Sequence, residues 1–266
     1  MSNLESNSAS VWTEGVWRSP EDYMSHLIKN TNYISSFSKI QSIISEKIDV
    51  NQAFRIADIG CGYGWSTHLL SNWFPAAAVD GIDPYITLND QSINSIINIL
   101  KLDSTNANFS KGTFEDLSIV KKKYDLIIAV ASLHHSLDLR NDLQSISSTL
   151  KKNGLFIVSN EHFLSRRRYE ALFLGKVIKI YCQHLFKGYN LNEQKLSQGR
   201  MQYNSKLGDW IIKKDYLLFL AQSVGLTIDL EIQTDYYPYR FSKSNRLSLA
   251  YDNLSKLYHL IFKNLD

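Results

Sequence analysis

The sequence predicts an α/β fold in which a mostly parallel sheet is flanked by helices. The first observation is Phe54–Thr67, where a short apolar strand leads into a glycine-rich turn and then into the start of a helix. The second is that further β-favouring runs, within Ala78–Tyr85, Tyr124–Asp138 and Leu150–His162, alternate with helical stretches. Strands that are separated by helices run parallel and are joined by right-handed crossovers.

The glycine-rich turn has the composition of a cofactor-binding loop. Asp58 is the single acid of the preceding strand, and Gly60, Gly62 and Gly64 alternate after it around Cys61. Glycine tolerates a positive φ and lets a ligand approach the backbone. The next helix presents free N–H groups at its N-terminus, which suit a polar or anionic ligand. These features predict a mononucleotide-type cofactor site.

A dinucleotide cofactor is disfavoured by Trp65. The dinucleotide fingerprint has its third glycine three residues after the second, whereas this chain has Trp65 there and its third glycine already at Gly64. An indole does not allow the close packing of helix on strand that this glycine serves in NAD enzymes. A nicotinamide oxidoreductase is therefore kept only as a remote alternative.

The pattern D-x-G-x-G-x-G that begins at Asp58 resembles the first motif of class I S-adenosylmethionine (SAM)-dependent methyltransferases. The next predicted strand agrees, because it ends at Asp83 and Pro84, and an acid there can accept hydrogen bonds from both ribose hydroxyls. The resemblance implies SAM as cofactor and methyl transfer as activity. It also implies a Rossmann-like, mostly parallel seven-stranded sheet, with N-terminal helices and an insertion after the fifth strand that form a cap.

The same resemblance implies a set of cofactor-contacting residues. Lys111–Leu117 occupies the place of the family's adenine-binding loop. Many relatives have an aspartate where this chain has Thr113, so Glu115 or Asp116 would supply the adenine contact instead. The full set implied for the cofactor is Asp58, Gly60, Cys61, Gly62, Gly64, Asp83, Pro84, Thr113, Phe114, Glu115, Ala131 and Ser132.

Four titratable residues follow the predicted fourth and fifth strands, namely His134, His135, Glu161 and His162. Open α/β sheets place their chemistry at the carboxyl ends of parallel strands. An oxygen acceptor must lose its proton, and imidazole, with an ordinary pKa of about 6.5, suits that task. Each of the four is therefore a candidate for catalysis, and the alternative is that it only shapes the site. Asp138 is predicted to cap a helix, and no spacing demands a metal.

The chain divides into four predicted regions. Residues 1–50 form an N-terminal helical lid, 51–160 the SAM-binding core, 161–212 a cap insertion and 213–266 the end of the fold with a terminal helix. A helix-start signature lies at Ser19–Asp22. In the family such helices lie over the cofactor, which would make lid residues of Trp12, Trp17 and Tyr23; alternatively these aromatics pack on the core.

The terminal helix is predicted from apolar residues at Leu247, Ala250, Leu254, Leu257, Tyr258, Ile261 and Leu265. It could pack on the sheet or against a second subunit, which would give a homodimer. The cap insertion is aromatic and basic, with cations at Arg166, Arg167, Arg168, Arg200 and Lys206. These could bind an acidic acceptor, form a solvated helix face, or lie on a membrane surface.

Composition restricts the partners. The chain has 266 residues and a net charge of +3, which does not favour nucleic acid. Its two cysteines give neither a disulfide framework nor a metal cluster. The first ten residues are polar, without the apolar core of a signal peptide, and no run reaches the length of a membrane span. The expectation is a cytoplasmic protein, and the abundance of Ile, Asn, Lys and Ser suggests a bacterial source.

The acceptor is restricted by two missing motifs. The chain lacks the Asn/Asp-Pro-Pro-aromatic loop of many amino methyltransferases of nucleic acids, and no proline precedes either cysteine as in cytosine C5 methylation. The predicted function is O-methylation of a small-molecule or saccharide-like metabolite. A protein or RNA methyltransferase, and a non-catalytic protein that binds SAM or S-adenosylhomocysteine (SAH), remain as alternatives.

Overall fold

The computed structural model describes residues 19–30, 33–84, 90–102, 106–119, 122–163, 170–171, 173–175, 177–178, 182, 196–197, 200–204, 209–236 and 256–265. Its helices α1 to α7 are Pro20–Asn30, Tyr33–Ser38, Ile40–Lys47, Trp65–Trp73, Asp90–Leu100, Leu139–Thr149 and Lys214–Ser223. Strands β1 to β5 are Phe54–Ile59, Ala77–Ile82, Ala107–Ser110, Tyr124–Val130 and Leu150–Phe163. Strands β6 to β10 are Leu196–Ser197, Arg200–Asn204, Asp209–Ile212, Leu226–Tyr236 and Lys256–Asn264.

Within the described residues, seven strands form one sheet in the order β3-β2-β1-β4-β5-β10-β9. Strands β1 to β5 pair in parallel, and β10 is antiparallel to both of its neighbours, β5 and β9. The predicted Rossmann-like, mostly parallel seven-stranded sheet with flanking helices is confirmed. The order reverses between β1 and β4, and in such sheets a ligand crevice opens there, outside the carboxyl ends of the strands.

Apolar side chains fill the space on both faces of the sheet. On one face Ile56 and Ile128 pack with residues of α1 to α4, and on the other Ala57 and Ile127 pack with α6 and α7. Because both faces are covered, the central strands are almost continuously apolar. The burial of Asp58 within β1 is therefore an exception that a binding site would explain.

The predicted terminal helix is wrong over Lys256–Asn264, which form strand β10. This strand lies between β5 and β9, and Leu260, Ile261 and Phe262 are all buried. A strand that is buried on both faces has a continuous apolar run, and periodicity cannot distinguish such a run from a buried helix. Residues 237–255, which include the rest of that prediction, lie outside the described residues. The homodimer suggested by this helix remains untested.

Several local predictions are confirmed. Helix α1 begins at Pro20 and is capped by Ser19, whose hydroxyl accepts a hydrogen bond from the backbone N–H of Asp22 at 3.2 Å. Asp138 caps α6 by accepting from the backbone N–H of Asn141. Helix α7 is followed by Gly225, whose φ is +85°, and then by strand β9, so a glycine ends this helix.

The insertion begins later than predicted, because β5 continues to Phe163. Strands β6, β7 and β8 form a small antiparallel sheet, and β8 lies against β5 and the turn Leu133–His135. Trp12, Trp17, Arg166, Arg167, Arg168 and Lys206 lie outside the described residues, as does the side chain of Arg200. Among the described helices, none is both long and apolar enough to cross a membrane.

Candidate cofactor and active site

The glycine-rich turn lies at the carboxyl end of β1 and is held by the end of β2. The backbone N–H groups of Gly60 and Cys61 donate to the carbonyl oxygen of Ile82 at 2.7 and 3.3 Å. The N–H of Gly62 donates to Oδ2 of Asp83 at 3.0 Å. The acid that the sequence assigned to the cofactor ribose is therefore fixed beside the loop.

Two of the glycines are needed for different reasons. Gly62 has φ +54°, and a Cβ added there would meet no atom within 4 Å, so open space adjoins the loop backbone. Gly60 has φ +71°, and a Cβ there would lie 2.5 Å from Cβ of Ser132. Gly60 therefore allows the turn to pack against the end of β4, whereas Gly62 borders space that a ligand can enter.

Asp58 is buried directly below this turn. Its Oδ2 accepts hydrogen bonds from Oγ of Ser66 at 2.6 Å and Oγ1 of Thr67 at 2.7 Å. Its Oδ1 is buried and has no hydrogen-bond partner among the described residues. Burial raises the pKa of this carboxyl group to about 6, although the two hydroxyl groups oppose the shift. A buried acceptor without a donor is costly, and a ligand that brings an N–H or O–H group would satisfy it.

The residues present fit a SAM-type cofactor. The open side of Gly62 admits a ligand against the backbone, Asp58 offers an unsatisfied acceptor, and Asp83 places a carboxylate at the end of β2. Pro84 follows Asp83 and is half-buried. Cys61 is buried, and burial raises the pKa of its thiol well above the ordinary value, which makes it an unreactive part of the loop.

The predicted adenine loop closes on itself through Asp116. Its Oδ2 accepts from the backbone N–H of Thr113 at 2.7 Å and from Oγ1 of Thr113 at 3.0 Å. The N–H of Gly112 lies 3.4 Å from the carbonyl oxygen of Asp83, so this loop adjoins the predicted ribose site. Phe114 is half-buried against the core, and Glu115 is exposed. With one oxygen of Asp116 occupied by Thr113, Glu115 is the better candidate for an adenine contact.

Trp65, at the first position of α4, joins the N-terminal helices to the glycine-rich turn. Its indole is buried and lies edge-on to Phe37 of α2, with ring centroids 5.2 Å apart. Tyr23 of α1 packs against Tyr63 of the turn at 5.2 Å. The residue that disfavours a dinucleotide therefore has a structural role, and α1 and α2 pack against the end of the sheet that carries the site.

Glu161 and His134 form a hydrogen-bonded pair where β4 and β5 end. Oε1 of the buried Glu161 accepts from the backbone N–H groups of Leu133 and His134 at 2.7 and 3.3 Å. Its Oε2 lies 3.0 Å from Nδ1 of His134, whose side chain is 21% exposed. A carboxylate at Nδ1 favours the tautomer with its proton on that nitrogen, and Nε2 then carries the lone pair.

The other two catalytic candidates differ from His134. The rings of His134 and His135 have centroids 4.1 Å apart. Burial lowers the pKa of His135 well below its ordinary value, and the neighbouring His134 lowers it further, so His135 is a weak base. The side chain of His162 lies outside the described residues. The structure therefore brings His134, His135 and Glu161 close together, and a side-chain hydrogen bond joins His134 to Glu161.

Two features of the site were absent from the sequence-based prediction, namely the hydroxyl groups that hold Asp58 and two left-handed backbone conformations. The hydroxyl groups of Ser66 and Thr67 hold Asp58, and their position in the first turn of the helix after the loop was the available signal. Ala131, which follows β4, and Asn160, inside β5, have left-handed φ values of +48° and +55°. No sequence pattern marks those two conformations.

Comparison with known proteins agrees with this geometry. The family described as a methyltransferase domain matches residues 24–194, which is more than half of the chain. The chain belongs to this family. This confirms the resemblance to the class I SAM-dependent methyltransferases that the sequence motif implied. The site assembled around Gly62, Asp58 and Asp83 has the features that such a cofactor needs.

Individual methyltransferases are similar to parts of the chain. The malonyl-[acyl-carrier protein] O-methyltransferase of Priestia megaterium is 32% identical over 111 residues, covering 41% of this chain and 37% of that protein. The chain matches half or less of the length of its curated relatives. A structure described as a sarcosine dimethylglycine methyltransferase from Galdieria sulphuraria has a TM-score of 0.57 at 14% identity, covering 87% of this chain and 86% of that one.

A SAM-dependent methyltransferase from Methanosarcina mazei has a TM-score of 0.51 at 18% identity, covering 84% of this chain and 97% of that one. At such identities the two structural likenesses show the fold. The acceptor must therefore be inferred from the side chains of this methyltransferase.

Proposed function

We propose that this methyltransferase acts on an oxygen atom of a small-molecule acceptor and that His134 is the general base. The observation that carries the proposal is the contact of 3.0 Å between Nδ1 of His134 and Oε2 of the buried Glu161. With its proton on Nδ1, the imidazole can take the hydroxyl proton of the acceptor at Nε2. Glu161 holds the ring and stabilises the imidazolium that forms, as the carboxylate does in a Ser-His-Asp triad.

Bound SAM supplies a methyl group that its sulfonium already activates for displacement. The protein residues then have to hold the acceptor in line and remove its proton. His134 is half-buried after the carboxyl end of β4, two residues beyond Ser132, whose Cβ adjoins Gly60 of the cofactor loop. The base is thus on the same edge of the sheet as the predicted cofactor site.

A carboxylate acceptor is a second candidate, because the curated relatives are named for O-methylation of a malonyl group on a carrier protein. A carboxylate is already ionised near neutral pH and needs no base. His134 would then act in its protonated form, as a cation that Glu161 stabilises and that binds the acceptor. The basic cap insertion agrees with an acidic acceptor.

The pH dependence of the reaction distinguishes these acceptors. Transfer of labelled methyl from SAM to panels of hydroxylated metabolites, saccharides and acyl carboxylates identifies the substrate class. With a hydroxyl acceptor, kcat should rise with pH through the pKa of His134; with a carboxylate, it should fall. Glu46→Gln, which changes an exposed glutamate of α3, is the matched control for Glu161→Gln. Unchanged turnover in both His134→Gln and Glu161→Gln would refute the proposed role of the pair.

The same screen can also reveal either of two alternative functions. Labelling of protein or RNA, with salt-sensitive retention on RNA, would indicate a macromolecular substrate instead. SAM binding without transfer to any acceptor would indicate a binding protein that has kept the methyltransferase fold. The prediction that the protein is cytoplasmic rests on its sequence composition and remains a prediction.

A further inference from the structure

Three consecutive residues of β5 connect helix α2 with the His134–Glu161 pair. Ser159 hydrogen-bonds Nδ1 of the buried His259 at 2.8 Å, and Nε2 of that ring contacts Oγ of Ser36 in α2 at 3.2 Å. Asn160 donates from Nδ2 to the carbonyl oxygen of Tyr33, the first residue of α2, at 3.0 Å. Glu161 follows directly and holds the turn that carries His134.

The backbone of Asn160 is left-handed, with φ +55°, inside a strand. Pairing of β5 with β10 is irregular at this point, since the register shifts between Tyr258 and Leu260. An irregularity of this kind redirects the side chains that follow it, and such bulges are frequent beside active sites. Here the next side chain is Glu161, which is directed to the N–H groups of Leu133 and His134.

Asn160 is fully buried, and its Oδ1 has no hydrogen-bond partner among the described residues. An alanine or glycine at this position would avoid that desolvated oxygen, so the core alone does not explain the amide. Asparagine is among the residues that tolerate a left-handed φ, and its Nδ2 also reaches Tyr33. One residue therefore meets both requirements.

We propose that Asn160 is a positioning residue. Its contact with the first residue of helix α2 sets the geometry of the His134–Glu161 pair. This inference deepens the proposed function and rests on it, because it concerns control of the same pair. The left-handed backbone of Asn160 directs the side chain of Glu161 toward His134. The side-chain amide of Asn160 holds this conformation through its hydrogen bond to the carbonyl oxygen of Tyr33. The Ser36–His259–Ser159 bridge supplies a parallel connection one residue earlier in β5.

The test is NMR of the full-length protein with labelled histidine, which reports the tautomer and pKa of His134 without an acceptor. The chain has seven histidines, and His134→Gln identifies the signal. Glycine keeps the left-handed φ but removes the anchor, so in Asn160→Gly the pKa of His134 should fall by about one pH unit and the Nδ1-protonated tautomer should lose population. Asn160→Ala also disfavours the φ and should have an effect at least as large.

Asn153 provides matched controls, because it is also an asparagine of β5 with a left-handed φ, +63°, but it is exposed at the opposite end of the strand. Asn153→Gly and Asn153→Ala should alter the melting temperature without changing the titration of His134. If Asn160→Ala does not fold, the NMR titration of His134 in Asn160→Gly is the deciding measurement. A His134 titration in Asn160→Gly that equals that of the wild type would overturn the inference.

The role of His134 as the base and the role of Asn160 in positioning it can be refuted independently. If Asn160 positions the pair but His134 is not the base, the NMR titration will shift while His134→Gln keeps its turnover. If His134 is the base and Asn160 is only part of the core, turnover will depend on His134 while its titration is unchanged in Asn160→Gly.

Discussion

Oε2 of Glu161 lies 3.0 Å from Nδ1 of His134, while its Oε1 accepts the backbone N–H of Leu133 at 2.7 Å. Both carboxylate oxygens are therefore engaged with the turn that follows β4. Because Glu161 is buried and both of its oxygen atoms are engaged, its carboxyl group is held in place before a substrate arrives, and such an arrangement needs little reorganisation during the reaction. The pair is thus preorganised by strand β5.

Replacement of either member of this pair should reduce turnover. With a hydroxyl acceptor, His134→Gln should lower kcat by about 10²- to 10⁴-fold, the usual contribution of a general base. Glu161→Gln keeps the shape but loses the carboxylate, so it should also lower kcat. SAM affinity should persist in both variants, as measured by calorimetry. Loss of SAM binding together with turnover would point to a structural role instead.

Asp83→Ala should weaken SAM binding. Asp83 is expected to accept hydrogen bonds from the ribose, and its removal should cost about 2–3 kcal/mol, or roughly 30- to 150-fold in Kd. Asp125→Asn is a suitable control, because Asp125 binds Lys151 at the opposite edge of the sheet, where β4 begins. An Asp83→Ala variant that binds SAM as tightly as the Asp125→Asn control would exclude the ribose contact.

Gly62→Val should abolish SAM binding. A valine would occupy the open space beside the loop and would be strained at φ +54°. Gly175→Val is the control, because a Cβ at Gly175 also meets no atom within 4 Å but that glycine has no left-handed φ and lies in the insertion. Circular dichroism must show that both variants fold. Normal affinity in a folded Gly62→Val protein would mean that the cofactor does not approach this loop.

Stability should fall as the solution becomes acidic, and His259 should contribute to the fall. Burial lowers the pKa of His259 from 6.5 to about 4, so between these values the unfolded chain binds a proton that the folded protein does not. As the pH falls through this range, the free energy of unfolding decreases by up to about 1.4 kcal/mol per pH unit for each such group. Unfolding by urea at several pH values should therefore show a shallower slope for His259→Gln than for the wild type.

Other buried groups modify this profile. Burial also lowers the pKa of His68 to about 4, so this residue adds to the acid sensitivity. Asp58 has the opposite effect, because a pKa raised from 3.8 to about 6 means that the folded state binds the extra proton in that range. A slope for His259→Gln that equals the wild-type slope would show that the folded protein accommodates a protonated His259.

The residues proposed for the cofactor lie together because they are close in sequence or end neighbouring strands, and the sequence predicts this proximity. Asp58 and Gly62 belong to one local motif, and parallel pairing of β1 with β2 brings Asp83 to the same edge. The catalytic candidates were identified because they follow the carboxyl ends of parallel strands, but that position alone cannot rank them. His134 is distinguished by its contact with Glu161, whereas burial lowers the pKa of His135 well below its ordinary value.

The remaining features depend on contacts between distant parts of the chain. Ser36 and Ser159 meet through His259, and nothing in the local sequence of any of them signals that bridge. The terminal helix was mispredicted because β10 is buried on both faces and therefore lacks the alternation of a half-exposed strand. The left-handed φ of Asn160 is a property of the assembled sheet.

The proposed chemistry depends on SAM binding at the loop around Gly62. Calorimetric titration of the protein with SAM, SAH and NADH tests it directly. We expect SAM and SAH to bind with a Kd near the micromolar range, about −8 kcal/mol, and NADH to give no heat of binding. Binding of NADH, or no binding of SAM and SAH by the folded protein, would contradict this expectation.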